Sequence, residues 1–287
     1  LYVPYKGGIF MPGSASEQRA KMMLEEPISK VIPRLALPTI VSMLISSVYN
    51  MADTYFVSQI GTSASGAVGV IFSAMSLIQA VAFMFGMGAG TNVQALGARD
   101  EERAQRFAAT SFFTAFATGI LIAVVCNLSI DPLVRFLGAT ETIAPYAKDY
   151  ASYIFYAAPF MMCSFVMNNL LRFEGLAFYG MIGIASGGVL NMVLDPLLIF
   201  GLNLGTAGAA IATAISQVVS FCILLTMTNR RAGAIPIRFR DFTPKWSFYK
   251  RILYNGFPSL GRQGIASVST ILLNTTAGVY GDAAIAA

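Results

Sequence analysis

Residues 66–95 read GAVGVIFSAMSLIQAVAFMFGMGAGTNVQA, without a single Asp, Glu, Lys or Arg. A helix crosses the hydrocarbon layer of a bilayer with about 20 mostly apolar residues, so this run is long enough to span it. Similar runs lie on both sides of it. Spans are expected at 35–60, 66–95, 107–129, 147–171, 177–202 and 206–228, with a seventh opening near 252. Turn signals separate them: Gly61-Thr62-Ser63, Gly97-Ala98-Arg99-Asp100, Asp131-Pro132, Gly138-Ala139-Thr140 and Gly201-Leu202-Asn203-Leu204-Gly205. Several connections are short, which makes neighbouring helices antiparallel.

The composition agrees with a chain dissolved in lipid. Hydrophobic residues make up 56% of the 287 and charged residues 11%, against about 25% charged in an ordinary soluble domain. The fold class is therefore all-α and polytopic. Cys126, Cys163 and Cys222 each lie in an apolar run, share no short spacing and have no histidine to join them as metal ligands, so they read as packing residues. Leu1 to Phe10 lack the basic and apolar regions of a signal peptide. The sequence starts at Leu1 and stops at Ala287 inside a Gly/Ala-rich run, which reads as a fragment of a longer protein.

Basic residues set the expected orientation, because positively charged loops stay in the cytoplasm. One side takes Lys6, Arg19, Lys21, Lys30 and Arg34, then Arg99, Arg103 and Arg106, then Arg172, then Arg230, Arg231, Arg238, Arg240, Lys245, Lys250 and Arg251. The other side has Arg135 and Lys148. The N-terminus and the 230–250 linker are thus expected in the cytoplasm, and the net charge of +5 is a matter of topology and of anionic lipid rather than nucleic acid.

Sliding the chain by 220 residues aligns Ile32 with Ile252, Pro38 with Pro258, Ile45 with Ile265, Ser47 with Ser267 and Val48 with Val268, and brings Gly61, Ala64 and Ala67 onto Gly281, Ala284 and Ala287. A repeat of six spans, returning to the side where it began, implies two parallel six-helix bundles and about twelve helices in the whole. The resulting division is a cytoplasmic N-terminal segment at 1–32, a six-helix bundle at 33–229, a basic linker at 230–250, and the first helix of a second bundle at 251–287.

Three ionisable groups stand deep in the spans: Asp53, Asp195 and Arg262. Each costs several kcal/mol there unless paired, hydrated or neutralised. Counted along their helices, Asp53 and Asp195 share a depth in the outer half. Asn191 lies one turn before Asp195 on the same face, and Thr213 reaches a similar depth in the next span, an oxygen set of the kind hard cations prefer. Tyr49 lies one turn before Asp53, within reach of a hydrogen bond to its carboxyl or to a bound water; Asn50 and Asn168 add polar atoms. Pro38 removes a backbone hydrogen bond and invites a kink in the first span. Bland readings stand beside these. An aspartate near a helix end can sit at the water interface, Asp195-Pro196 can be a local break, and Asn191 and Thr213 can simply bond helix to helix. Arg262 can pair with an acid outside this sequence or snorkel toward the cytoplasm. The runs Gly86-Met87-Gly88-Ala89-Gly90 and Gly205-Thr206-Ala207-Gly208-Ala209-Ala210 look like phosphate loops but sit in or at the mouth of apolar spans, where close helix packing is expected. Phe83, Met84, Phe85, Met87, Met161 and Met162 read as packing, or as an adaptable binding wall.

Together these residues resemble the multidrug and toxic compound extrusion (MATE) family, from Ile32 to Ala287. The resemblance rests on Ala36-Leu37-Pro38, on Asp53-Thr54, on Gly88 through Asp100 with its Gln94-Ala95-Leu96-Gly97-Ala98-Arg99-Asp100 loop, on Asn191-Met192-Val193-Leu194-Asp195-Pro196, and on the Gly205 to Thr213 helix entrance. It implies two six-helix bundles, export of organic compounds driven by inward flow of H+ or Na+, and a cation site at Asp53, Asn191, Asp195 and Thr213. Tyr49 and Asn168 match supporting positions of some members, and Pro38 matches a proline whose bending of the first helix has been proposed to accompany protonation. Ser46 departs from the glutamine that some members carry.

The resulting expectation is an antiporter for small organic, often cationic, compounds, with no cofactor beyond the coupling ion, no metal beyond sodium at the same cluster, and no nucleic-acid partner. It is expected as a monomer in contact with membrane lipid, in a bacterial cytoplasmic membrane. A flippase for lipids or lipid-linked sugars is the main alternative and would need a strongly cationic central cavity, to which Arg262 alone could contribute. A channel would pass flux without exchange. An intramembrane enzyme would need a nucleophile and base or metal ligands.

Overall fold

The computed structural model describes residues 27–96, 100–230, 234–278 and 281. Among these residues eight helices follow one another: α1 (Ile28–Ser58), α2 (Thr62–Leu96), α3 (Glu101–Leu128), the short α4 (Ile130–Phe136), α5 (Ala144–Phe173), α6 (Ala177–Pro196), α7 (Gly205–Arg230) and α8 (Trp246–Gly278). A π-helical turn, Leu197–Gly201, extends α6, and a 3-10 turn, Phe239–Asp241, interrupts the linker. The segments 1–26, 97–99, 231–233, 279–280 and 282–287 lie outside the described residues, and with them most of the N-terminal basic stretch, Arg99, Arg231 and the last alanines of the repeat.

Among the described residues six helices are long and apolar enough to cross a membrane, α1, α2, α3, α5, α7 and α6 with its π turn. The chain is an integral membrane protein. α8 is as long, but its hydroxyl and amide side chains keep it out of that set, so the expected seventh span forms as a helix without matching the apolarity of the other six. It also opens at Trp246, ahead of the expected start at 251. Phe248 is the reason. Its ring packs 4.4 Å from that of Phe107 in the core, and Phe248 N–H donates to the Lys245 carbonyl at 2.9 Å, so the first turn is already docked on α3.

α5 runs through the core, where Phe155, Met162, Met167 and Leu171 are fully buried among α2, α3 and α7. Met161, Met84 and Phe85 are buried with them, so this part of the methionine and aromatic set is packing. Cys163 is buried and its thiol faces the Phe112 carbonyl at 3.8 Å, whereas Cys222 is exposed on α7; the packing reading fits the first and not the second. The glycine runs bring helices together. A Cβ on Gly88 would lie 2.0 Å from the Ile252 carbonyl oxygen, and one on Gly256 2.0 Å from that of Met84, so α2 and α8 touch backbone to backbone. That contact is a packing device, not a phosphate loop.

α1 is helical through both Pro33 and Pro38. Pro38 has no N–H for the carbonyl four residues before it, and its own carbonyl accepts the Ser42 hydroxyl at 2.9 Å. α1 packs mainly on α6 and exposes Leu37, Met43, Leu44, Val48 and Met51. α1 and α8 end in matching register: Ser58 and Gly278 close the helices, and Gly61 (φ 156°) and Gly281 (φ 97°) each follow three residues later. The offset is the 220 residues of the repeat.

On the side opposite the basic loops, both cations are paired: Arg135 with Glu141 at 3.4 Å and Lys148 with Asp131. On the basic side the linker is pinned to the bundle. The Thr110 hydroxyl donates to the Thr243 carbonyl at 3.3 Å and accepts from its N–H at 3.1 Å, while Glu174 accepts from the Ile235 N–H at 3.1 Å and Asn229 from the Ile237 N–H at 2.9 Å. Thr110→Val is expected to cost about 1 kcal/mol and to make trypsin cut after Arg240 or Lys245 measurably faster in detergent; an unchanged cleavage rate would show that the Thr110 hydroxyl does not hold the linker.

Candidate functional site: a buried carboxylate cluster

The sequence around Asp195 cannot continue as a regular helix. Pro196 breaks the α6 ladder, and the chain responds with a wider turn in which the Leu202 N–H donates to the Leu197 carbonyl at 3.0 Å; single π turns often mark functional positions. Asn203 (φ 53°) and Gly205 (φ 57°) then take left-handed conformations and reverse the chain into α7. Gly208 lets α7 lie against that turn, since a Cβ there would fall 2.8 Å from the Leu198 carbonyl. This close approach carries Thr213 to Asn191.

Asn191 Nδ2 donates to Asp195 Oδ1 at 3.1 Å and to Thr213 Oγ1 at 3.2 Å. Across the bundle the Tyr150 hydroxyl donates to Asp53 Oδ2 at 3.1 Å. Asp195 is completely buried and Asp53 is 6% exposed. The remaining oxygens have no hydrogen-bond partner in the protein: Asp53 Oδ1, Asp195 Oδ2 and Asn191 Oδ1. Buried acceptors without donors are costly, and an uncompensated buried carboxylate far more so. Both carboxylates are two turns or less from helix ends on the side away from the basic loops.

Asp53, Tyr150 and Thr213 face a cavity of about 650 Å³ bounded by α1, α2, α5, α7 and α8. Met51, Tyr55, Phe72 and Met75 give it apolar walls, and Asn50, Thr54, Ser65 and Asn274 give it polar ones. Its size suits a drug-sized molecule. Among the described residues no Lys or Arg lines it, and Arg262 is exposed on α8 and is not part of its wall.

Of the residues singled out in the sequence, Asp53, Asn191, Asp195 and Thr213 come together here with Tyr49 beside them. Tyr49 does not bond Asp53; its ring packs on α6, where a Cβ on Gly188 would lie 2.9 Å from it, and it forms wall rather than donor. Asn168 stands apart. Its amide packs against Gly180, eleven residues and roughly 16 Å along α6 from Asn191. Pro38 is likewise remote, fifteen residues or roughly 22 Å along α1 from Asp53. Tyr150 went unread. It lies on a different helix from every other member, and the available signal was depth, since it is within a turn of the depth of Thr213, each counted from the start of its own helix.

The family profile described as MatE matches residues 38–197, more than half of the chain. The chain belongs to the MatE family. The chain is 28% identical over 264 residues to the multidrug export protein MepA of Staphylococcus haemolyticus, and 26% identical over 264 residues to MepA of Staphylococcus aureus, in each case over 91% of this chain. Among solved structures, an inward-facing multidrug resistance MATE family transporter of the MOP superfamily superposes with a TM-score of 0.80 at 33% identity, covering 89% of this chain and 59% of its own. A MOP superfamily transporter from Pyrococcus furiosus, described by a binding pocket of reverse polarity, superposes equally well, with a TM-score of 0.80, 33% identity and 57% of its own chain covered. This MatE chain thus spans about 58% of the length of the curated relatives it matches.

Proposed function

We propose that the full protein is a secondary antiporter that exports organic, often cationic, compounds in exchange for H+ or Na+, with Asp53, Asn191, Asp195 and Thr213 holding the coupling ion. The observation that carries this reading is the set of three buried oxygens without donors, two of them on carboxylates, beside a cavity with no cation in its lining. Two carboxylates in one buried site are stabilised by a proton or a small hard cation. The same negative wall would hold an organic cation while the ion site is empty, and ion entry would weaken that hold. Binding of the two would then be mutually exclusive, which is the requirement of exchange. The chain's substrates are small organic molecules and it acts as a monomer without cofactor, nucleic acid or catalytic chemistry.

The basic side is assigned to the cytoplasm of a bacterial cell on the asymmetry of Lys and Arg between the two sides. A lipid flippase needs a cationic cavity, and the lining here favours the drug exporter. The test uses the full-length protein in everted vesicles from an efflux-deficient bacterium. Accumulation of a fluorescent cationic dye under an imposed proton or sodium gradient is expected, and the gradient that drives it names the ion. Indifference to both would remove the antiport reading.

Tyr150→Phe isolates the donor to Asp53. Its loss leaves the carboxylate with neither oxygen bonded within the protein, a change of about 1–3 kcal/mol. Dye accumulation is expected to fall several-fold at matched expression; full activity would make Tyr150 a packing residue only.

A further inference from the structure

Much of the polar wall of the cavity of about 650 Å³ is turned to accept hydrogen bonds rather than to donate them. The Thr54 hydroxyl donates to the Asn50 carbonyl at 2.9 Å, that of Ser58 to the Tyr55 carbonyl at 2.7 Å and that of Thr270 to the Ala266 carbonyl at 3.1 Å, each within its own helix. The Tyr150 proton is spent on Asp53. A hydroxyl has one proton and two lone pairs, so these groups have acceptors left for a ligand and would have to give up a bond to donate. Asp53 Oδ1, which has no partner in the protein, adds a charged acceptor. Asn50, Ser65, Thr213 and the hydroxyls of Tyr49 and Tyr55 carry the remaining donors of the wall.

Asn274 is committed in the same sense, but across helices. Its Nδ2 donates to the Gly69 carbonyl at 3.3 Å and to Ser73 Oγ at 3.1 Å, which ties α8 to α2. A carbonyl only accepts, so the nitrogen of the amide, not its oxygen, must face α2. The backbone is held too. The turn at Gly138 (φ 101°) lies against it, where a Cβ would stand 3.0 Å from the Thr275 nitrogen and 3.1 Å from the Asn274 carbonyl carbon. With both N–H groups used on α2, Oδ1 is the free end of the amide in the cavity wall.

A carboxylate attracts any cation, whereas neutral acceptors reward only a cation with hydrogens to give. We propose that this cavity selects organic cations that carry N–H, such as protonated amines, amidines and guanidines, over permanently charged quaternary ammonium compounds, with Asn274 and Thr270 as specificity-determining residues. The inference deepens the antiport reading above and rests on it for the cavity's being the substrate site. A quaternary nitrogen would turn methyl groups toward the Asn274 oxygen and the hydroxyl lone pairs, and a site built to bond an N–H discriminates against the analogue that lacks it.

The test is calorimetric binding of a tertiary arylalkylamine and of its N-methylated quaternary analogue to the full-length protein in lipid nanodiscs, at a pH where the amine is protonated. The wild type is expected to bind the amine at least about tenfold more tightly, a modest share of what a fully dry site can achieve. Asn274→Leu and Thr270→Val are each expected to lower that ratio at least about threefold by weakening the amine, while the quaternary compound stays within about twofold of its wild-type dissociation constant. The Thr270 hydroxyl bonds only its own helix, so Thr270→Val reads the acceptor even where Asn274→Leu loosens α8. Equal affinities in the wild type would overturn the selectivity, and a ratio that survives in both variants would overturn its assignment to these residues. Gradient-driven dye transport is read separately. Transport without the affinity ratio would sink this inference and leave the antiport reading standing, whereas the ratio without transport would remove antiport and leave a cavity selective for N–H cations.

Discussion

Asp195→Asn in the full-length protein is expected to bring gradient-driven dye transport down by at least about tenfold, the equivalent of about 1.4 kcal/mol, without loss of folded protein. The substitution keeps the size of the side chain, and its remaining oxygen can still accept from Asn191, which now bonds Asp195 Oδ1 at 3.1 Å. What disappears is a carboxylate that is completely buried and has one oxygen without any partner. In a purely structural role that charge is a liability, and neutralising it would leave stability unchanged or raise it. In an ion site it is one of two anionic ligands, and its loss removes the preference for a cation. Asp53→Asn is expected to behave alike, since Asp53 carries the other unpartnered carboxylate oxygen. Thermal stability in detergent and transport at matched expression together decide: stable but inactive protein supports the ion site, whereas wild-type transport from either variant would end it.

Gly88→Val is expected to have the largest effect on folding. The position faces backbone, with the Ile252 carbonyl oxygen 2.0 Å from where a Cβ would stand and the Ile252 carbonyl carbon at 2.8 Å. A flexible side chain could swing away, but a carbonyl held in the ladder of α8 cannot. The helices must separate there, and the reciprocal contact of Gly256 with the Met84 carbonyl opens with them. Overpacking in a well-packed core typically costs 1–3 kcal/mol, and a contact that is backbone on both sides belongs at the top of that range, about 3 kcal/mol. The expected result is a midpoint of thermal aggregation in detergent lowered by several degrees, with reduced yield. Gly264→Ala on the same helix is the control. A Cβ there meets nothing within 4 Å, and the better helix propensity of alanine favours it by up to about 1 kcal/mol. Equal stability of the two variants would mean that α2 and α8 are not held together at Gly88.

Half of the candidate site was legible because it lies within single helices. Asn191 and Asp195 are one turn apart, and the spacing alone puts amide and carboxylate on one face; the hydrogen bond between them follows. The same rule applied to Tyr49 and Asp53 chose the wrong donor. Tyr49 is spent on the α1–α6 contact at Gly188, and the hydroxyl that reaches Asp53 comes from α5. Asn168 shares with the cluster only a helix that passes it, and its amide is used at Gly180 at the opposite end of α6. The early start of α8 was hidden for a related reason. The stretch Trp246-Ser247-Phe248-Tyr249-Lys250-Arg251 is too polar to read as a span, and it becomes helical where Phe248 finds Phe107.

The sequence by itself determined that this protein lives in a membrane, which segments form its six apolar helices, and that carboxylates at 53 and 195 stand deep in them, although α1 and α3 begin at Ile28 and Glu101, ahead of the expected starts at 35 and 107. Length, apolarity and the cost of a buried charge are properties of a segment and its solvent, and need no neighbour to be specified. Only the tertiary structure decided that Asp53 bonds Tyr150, that Asn191 reaches Thr213, and that a drug-sized cavity opens beside them. Those facts depend on how closely and at what rotation helices distant in sequence pack, and that is set by glycines and side-chain shapes acting jointly across the bundle.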